Sequence, residues 1–407
     1  RGHTTDYLRA RASLDQRRQL LFDEYIRQAF ERRPAGRYSP QQSRHWLAWL
    51  ARAMAERSQS IFYVEGLQPD LLSARAQRLY AGGVGFAVGL VASLCATIAN
   101  LFSLIVRFGP EMAREWLGML LLAAAAAPAA GAILGMLLGG VKHRHGDSQK
   151  RWLNIVRHTA WLAPTLALAY GLTGWVSVGF AQSLPVWPVL TLIGLIVTFL
   201  GHPDEIVAVE RYKWSWAYTR TRLPLICGLA ICGGTLYWIA STPLHGFLFA
   251  SAGIVVLSLA LGLSAGEIEA RTRPNQGIWF SARSAAEVTV VIGCVALVSV
   301  ALLFNWFAGP MEGSVQGVGA ATIAALLGCL LFGGLACIQH YVLRLLLWRA
   351  GTMPLNDVQF LDQAADLMLL RKVGGGYIFL HRLLLEHFAG MEVQDAVKKQ
   401  WDDQSTA

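Results

Sequence analysis

Between residues 81 and 338 the chain passes through one apolar stretch after another, interrupted only by short polar connections, and this pattern restricts the fold more than any other feature. A bilayer core of ~30 Å is crossed by about 20 apolar helical residues. Eight candidates emerge: 81–106, 116–141, 159–182, 185–201, 222–240, 245–265, 286–308 and 316–338. The first would be ~39 Å long at ~1.5 Å per residue, so it must tilt or protrude. The fourth is the shortest. The expected class is a mainly α membrane protein, and the 15% of charged residues, against roughly 25% in soluble domains, agrees with it.

The connections alternate in charge. Those after the second, fourth and sixth stretches carry twelve Lys/Arg if Arg222 is included, whereas the others carry Arg107 and Arg114 only. The positive-inside rule then makes the basic loops cytoplasmic, and with an even number of spans both termini as well. This predicts a multi-pass protein of the inner or cell membrane. The net charge of +9 is accounted for by these loops and flanks, so no nucleic-acid partner is expected. The basic loops share a tryptophan followed by an arginine (Trp152 and Arg157, Trp216 and Arg220, Trp279 and Arg283), which suggests a repeated two-helix unit.

The flanks read as soluble structure. "LDQRRQLLFDEYIRQAF" puts Leu20, Leu21, Ile26 and Phe30 on a broad helical face, and "SPQQSRHWLAWLARAM" begins with Ser39 as N-cap and Pro40 at the first helical position. "SIFYVEGL" follows as a short β-type run. Beyond the last apolar stretch, "PLNDVQFLDQAADLMLL" is a helix with Asn356 as its cap. "RKVGGGYIFL" is a glycine hairpin leading into the helix of "HRLLLEHFAG". The two flanks complement each other as parts of a split cytoplasmic winged-helix domain, with about eight transmembrane helices inserted into it. The expected domains are 1–79, the membrane region 80–338, and 339–407.

Four segments, "LLFDEYIRQAFERR", "WLAWLARAMAERSQSIFYVEGLQPDLL", "RPNQGIWFSARSA" and "LLRKVGGGYIFLHRLLLEHFA", resemble the C-terminal part of bacterial NACHT-type signalling NTPases of the STAND class that carry several transmembrane helices. The resemblance covers both flanks and one loop. It implies an ATP-dependent switch that ADP holds closed and that oligomerises when triggered, with a role in antiphage defence. It also implies that the histidine after the last strand, His381, reaches the ADP phosphates. A histidine at a helix N-terminus suits an anion in its own right; capping the helix is the competing role. No G-x-x-x-x-G-K-[ST] loop occurs in the 407 residues, so ATP/ADP and Mg are expected on an upstream NTPase domain of the same polypeptide. The opening "RGHTTDYLRARASLDQ", with neither initiator methionine nor apolar h-region, fits such an upstream extension.

No Ser/His/Asp, Cys/His or carboxylate-pair signature points to catalysis within the chain. The "HRH" at His143 to His145 reads as a solvated loop rather than a metal site, and the six cysteines as small buried thiols. No charged residue sits in the middle of a predicted span. Asn100 and Asn305 are the polar exceptions and suit interhelical hydrogen bonds. Gly85, Gly89, Gly131, Gly135 and Gly139 invite close helix packing, within the chain or in a homo-oligomer, and Pro128 should kink the second span. The partners expected are thus the lipid bilayer, the upstream domain and further copies of the chain. The alternative readings are a gated channel or small-molecule transporter subunit, and a structural membrane anchor.

Overall fold

The computed structural model describes residues 14–32, 37–138, 162–178, 212–240, 242–265 and 273–391. In chain order these form α1 (Leu14–Arg32), α2 (Pro40–Glu56), α3 (Ala74–Leu138), α4 (Leu162–Val178), β1 (Tyr212–Trp214), α5 (Trp216–Ala240), α6 (Pro243–Leu261) and β2 (Leu263–Ala265). Then come α7 (Gln276–Ala308), α8 (Pro310–Cys329), a π-helical segment (Leu330–Gly334), α9 (Leu335–Arg349), α10 (Asp357–Asp366), β3 (Leu370–Val373), β4 (Gly376–Phe379) and α11, residues 382–391. They divide into two compact units. Arg1–Leu67, Ala270–Gln276 and Arg344–Ala407 make the first; Gln68–Glu269 and Gly277–Leu343 make the second.

The first unit is built from both flanks. β3 and β4 form an antiparallel hairpin whose turn passes through Gly374 at φ 58. On its other edge β4 meets Phe62, whose N–H and C=O both bond to Tyr377 at 2.8 Å. This single bridge is all the pairing that "SIFYVEGL" makes, because the chain turns at once into a 3₁₀ turn at Val64–Gly66. Ser39 caps α2 in a capping box with Gln42, as its sequence implies. Ile26 and Phe30 are buried, but Leu20 and Leu21 are exposed, so the apolar face of α1 is narrower than its pattern suggests. Tyr38, Trp46 and Phe360 stack edge to face at 5.1 to 5.8 Å and join α2 to α10. Asn356 occupies the N-cap position of α10 without capping; the Asp357 carboxylate accepts the Val358 N–H at 2.7 Å instead.

In the second unit, four stretches are long and apolar enough to cross a membrane: Ala74–Leu137, Thr219–Ile239, Gln276–Ala308 and Pro310–Arg349. The first is a hairpin. At Gly109 (φ 85, ψ 168) the helix breaks, Pro110 starts the second arm, and the arms fold back on each other. Gly309 (φ 91, ψ 168) before Pro310 repeats the device between α7 and α8. A glycine supplies the positive φ at no steric cost, and a proline at the first helical position gives up no hydrogen bond. The predicted stretches 81–106 and 116–141 fall on the two arms of α3, 159–182 on α4, 222–240 on α5, 245–265 on α6 and β2, and 286–308 on α7. The stretch 185–201 lies outside the described residues. The span 316–338 is not one regular helix, because Phe332 and Gly333 leave helical geometry inside the π segment.

The glycines do pack within the chain. A Cβ on Gly89 would come 2.6 Å from Ala127 O, and one on Gly131 would collide with Gly85 O, so the arms of α3 touch backbone to backbone. Pro128 sits against Gly89 with helical dihedrals, the break in α3 being at Gly109 instead. Gly131→Ala should therefore destabilise the detergent-solubilised protein by about 2 kcal/mol, in the range for overpacking. Gly118→Ala, with open space around it, should be neutral or slightly stabilising in the same thermal unfolding measurement.

Candidate functional site

His381 follows β4 by two residues and forms the N-terminus of α11. Its carbonyl accepts from Leu384 at 3.0 Å and Leu385 at 3.2 Å, and its Nδ1 accepts the Leu383 backbone N–H at 3.1 Å. The histidine is thus a true cap. With Nδ1 as acceptor, the neutral ring carries its proton on Nε2. The residue is exposed, which leaves the Nε2–H toward solvent. The sequence argument needs one amendment: the Leu383 N–H is engaged by the ring itself, so an anion here would be held by the imidazole more than by bare helix amides. The neighbouring Arg382 is exposed and pairs with Glu386 at 3.0 Å, an interaction worth little in water. One turn on, His387 Nε2 lies 3.0 Å from Asp23 Oδ1 and ties α11 to α1.

The sequence gave no warning of the pair that secures the start of α10. Arg344 donates to Asp357 Oδ1 at 2.6 Å and to Leu355 O at 2.7 Å, with the Asp357 side chain 1% and the Arg344 side chain 14% exposed. Burial pushes the Asp357 carboxyl up to about 6, against the opposing pull of the Arg344 guanidinium. A folded-state pKa above the unfolded value means that the folded state binds the proton more tightly. The group's contribution to stability is therefore present at low pH and is lost as pH rises through about 6.

The second unit carries exposed tryptophans near both ends of its long helices. On α7, Trp279 is 70% and Trp306 84% exposed, and the helix between them is about 40 Å long at ~1.5 Å per residue. That matches the roughly 40–45 Å of a bilayer with its interfacial regions, where tryptophan concentrates. Trp216 and Trp238 bracket α5 in the same way over about 33 Å. Trp216 and Trp279 are two of the three tryptophans in the basic-loop pattern; Trp152 lies outside the described residues.

Polar groups in this unit meet between helices. Asn100 Nδ2 donates to Thr173 Oγ1 of α4 at 3.1 Å and back to Ala96 O at 2.8 Å, the interhelical role its position implies. Arg107, just before the Gly109 turn, pairs at 2.9 Å with Glu312, just after the Gly309 turn. Its Nε is buried with no partner among the described residues, as are the Ser93 and Tyr170 hydroxyls. Leaving such groups unsatisfied costs about 1–3 kcal/mol each. Among the described residues no three His, Cys, Asp or Glu side chains gather as metal ligands.

No family model, curated protein or solved structure matches the chain.

Asp357→Asn should abolish one pH dependence. Hydrogen exchange of the α10 amides, compared between wild-type and variant protein in detergent, should show relative protection of the wild type rising as pH falls from 7 to 4. A ratio independent of pH would contradict the buried, proton-binding carboxyl.

Proposed function

We propose that this chain is the membrane-embedded regulatory and effector part of a NACHT-type STAND signalling switch, acting in defence against phage. About eight helices cross the inner or cell membrane with both termini in the cytoplasm, and the flanks together form a winged-helix domain. ATP or ADP with Mg is held by a nucleotide-binding domain upstream in the same polypeptide, and further copies of the chain join on activation.

One observation supports this reading above the others. Flanks joined by contacts such as Trp46 Nε1 to Gly351 O, 305 positions apart in sequence, fold into a single unit of helices and a β-hairpin. The last helix of that unit starts at His381. Both edges of β4 are engaged, by β3 and by Phe62, which is how a winged helix arranges three short strands around its wing. In the ADP-held state the His381 Nε2–H donates to a phosphate oxygen, and the Nδ1 bond to Leu383 keeps the ring aimed. Moving the unit away removes that donor and favours nucleotide exchange. Because the chain enters and leaves the helical unit from the two halves of this domain, such a movement reaches the membrane through both connections.

In the full-length protein carrying its nucleotide-binding domain, His381→Ala should speed ADP release at least tenfold and raise the oligomeric fraction, whereas His381→Asn, which keeps a capping side chain, restores α11 without restoring ADP retention. Equal ADP release from all three proteins would leave His381 a cap alone, and a polypeptide with no Walker lysine upstream would end the nucleotide reading.

A further inference from the structure

One face of the first arm of α3 changes character along its length. Steps of three and four residues place Gly82, Gly85, Gly89, Ser93, Ala96, Asn100, Ser103 and Arg107 on it, in that order toward the hairpin turn. At the glycine end the face is closed. Gly82, Gly85 and Gly89 lie so tightly on Met136, Gly131 and Ala127 that no side chain would fit. Nearer the turn the same face is polar and meets other helices: Asn100 bonds to Thr173 of α4, and Arg107 pairs with Glu312 of α8.

Along this polar half the chemistry is incomplete. Ser93 is 3% and Tyr170 5% exposed, and neither hydroxyl has a hydrogen-bond partner among the described residues. Ser103 is buried as well. Buried hydroxyls are almost always paired with protein or with ordered water, and a polar cleft offering several partners is where buried water settles. A seam held together only by Asn100–Thr173 would need no further polar groups at Ser93, Ser103 and Tyr170.

We propose that the turn-facing half of the second unit is a blind, water-filled vestibule. It is entered past the Arg107–Glu312 pair, lined by Ser103, Asn100 and Thr173, and stopped at the level of Ser93, where the glycine face closes. From Arg107 to Ser93 this is about 21 Å of helix at ~1.5 Å per residue, most of a ~30 Å bilayer core. Neutral hydroxyls and an amide beyond a charged entrance suit water and proton carriers rather than a fixed metal ion. The glycine contacts between the arms of α3 are then the barrier that a conformational change must part to open a continuous pathway. This inference goes beyond the nucleotide reading and stands without it.

Hydroxyl-radical footprinting by X-ray pulses tests it on the wild-type chain in lipid nanodiscs, because radicals form from water and modify the side chains beside it. Corrected for intrinsic reactivity, Tyr170 should be modified at least tenfold faster than Phe304. Phe304 is 1% exposed and packs in an apolar cluster with Leu248, Ala252 and Val300 only a few residues from the Gly309 turn. Asn100→Leu should bring Tyr170 down to the Phe304 rate; should that variant fail to fold, Ser103→Val takes its place with the same expectation. Wild-type Tyr170 modified no faster than Phe304 means a dry seam and overturns the proposal. Fast modification of Tyr170 that a folded variant leaves unchanged overturns the route along α3.

Discussion

Two backbone hydrogen bonds between Phe62 and Tyr377, each 2.8 Å long, bring the beginning and the end of this chain together, and the remaining architecture depends on that closure. Everything between Gln68 and Leu343 except the short 270–276 segment lies outside the unit so formed, and it must leave the unit and come back to it. Closing so long a loop is less costly than its length suggests, since the entropy grows only with the logarithm of chain length. It still has to be offset. The Tyr38–Trp46–Phe360 aromatic cluster, the Tyr25 hydroxyl donating to Met368 O and the buried Tyr377 and Phe388 rings supply the contacts that do so.

A chain that must return to its starting unit favours helices in hairpins, and the turns are built alike. Gly109–Pro110 and Gly309–Pro310 share a dihedral pattern, and Thr242 caps α6 ahead of Pro243. In each case proline opens the second helix, where its missing N–H is harmless. Small residues let the arms approach: Gly131 against Gly85, Gly234 against Gly246, Gly317 against Ala301. Packing in an apolar solvent has no hydrophobic drive of its own, so this backbone proximity and the few interhelical polar bonds carry the association.

What could be read from the sequence was whatever depends on local pattern. The apolar stretches, the Ser39 capping box and the glycine hairpin at Gly374 each follow from neighbours within a turn or two. The failures arise where distant residues decide. Leu20 and Leu21 look like core residues by periodicity, yet nothing packs over them in the first unit. The break at Phe332 and Gly333 hides inside an unbroken apolar run, and Pro128 keeps its helix because Gly89 makes room for it. Arg107 and Glu312, like Arg344 and Asp357, are ordinary charges until the fold pairs them. His381 was legible as a position, after a strand and before a helix. That its own ring would take the Leu383 amide was not.

The central claim is that the two flanks are one folding unit into which the helices have been inserted. Replacing residues 68–343 with a short glycine–serine linker and following amide exchange by NMR tests this directly. The account predicts a soluble, folded protein in which the Phe62 and Tyr377 amides are protected together and lose protection in one cooperative transition. Exchange of both amides at unfolded-chain rates would contradict it.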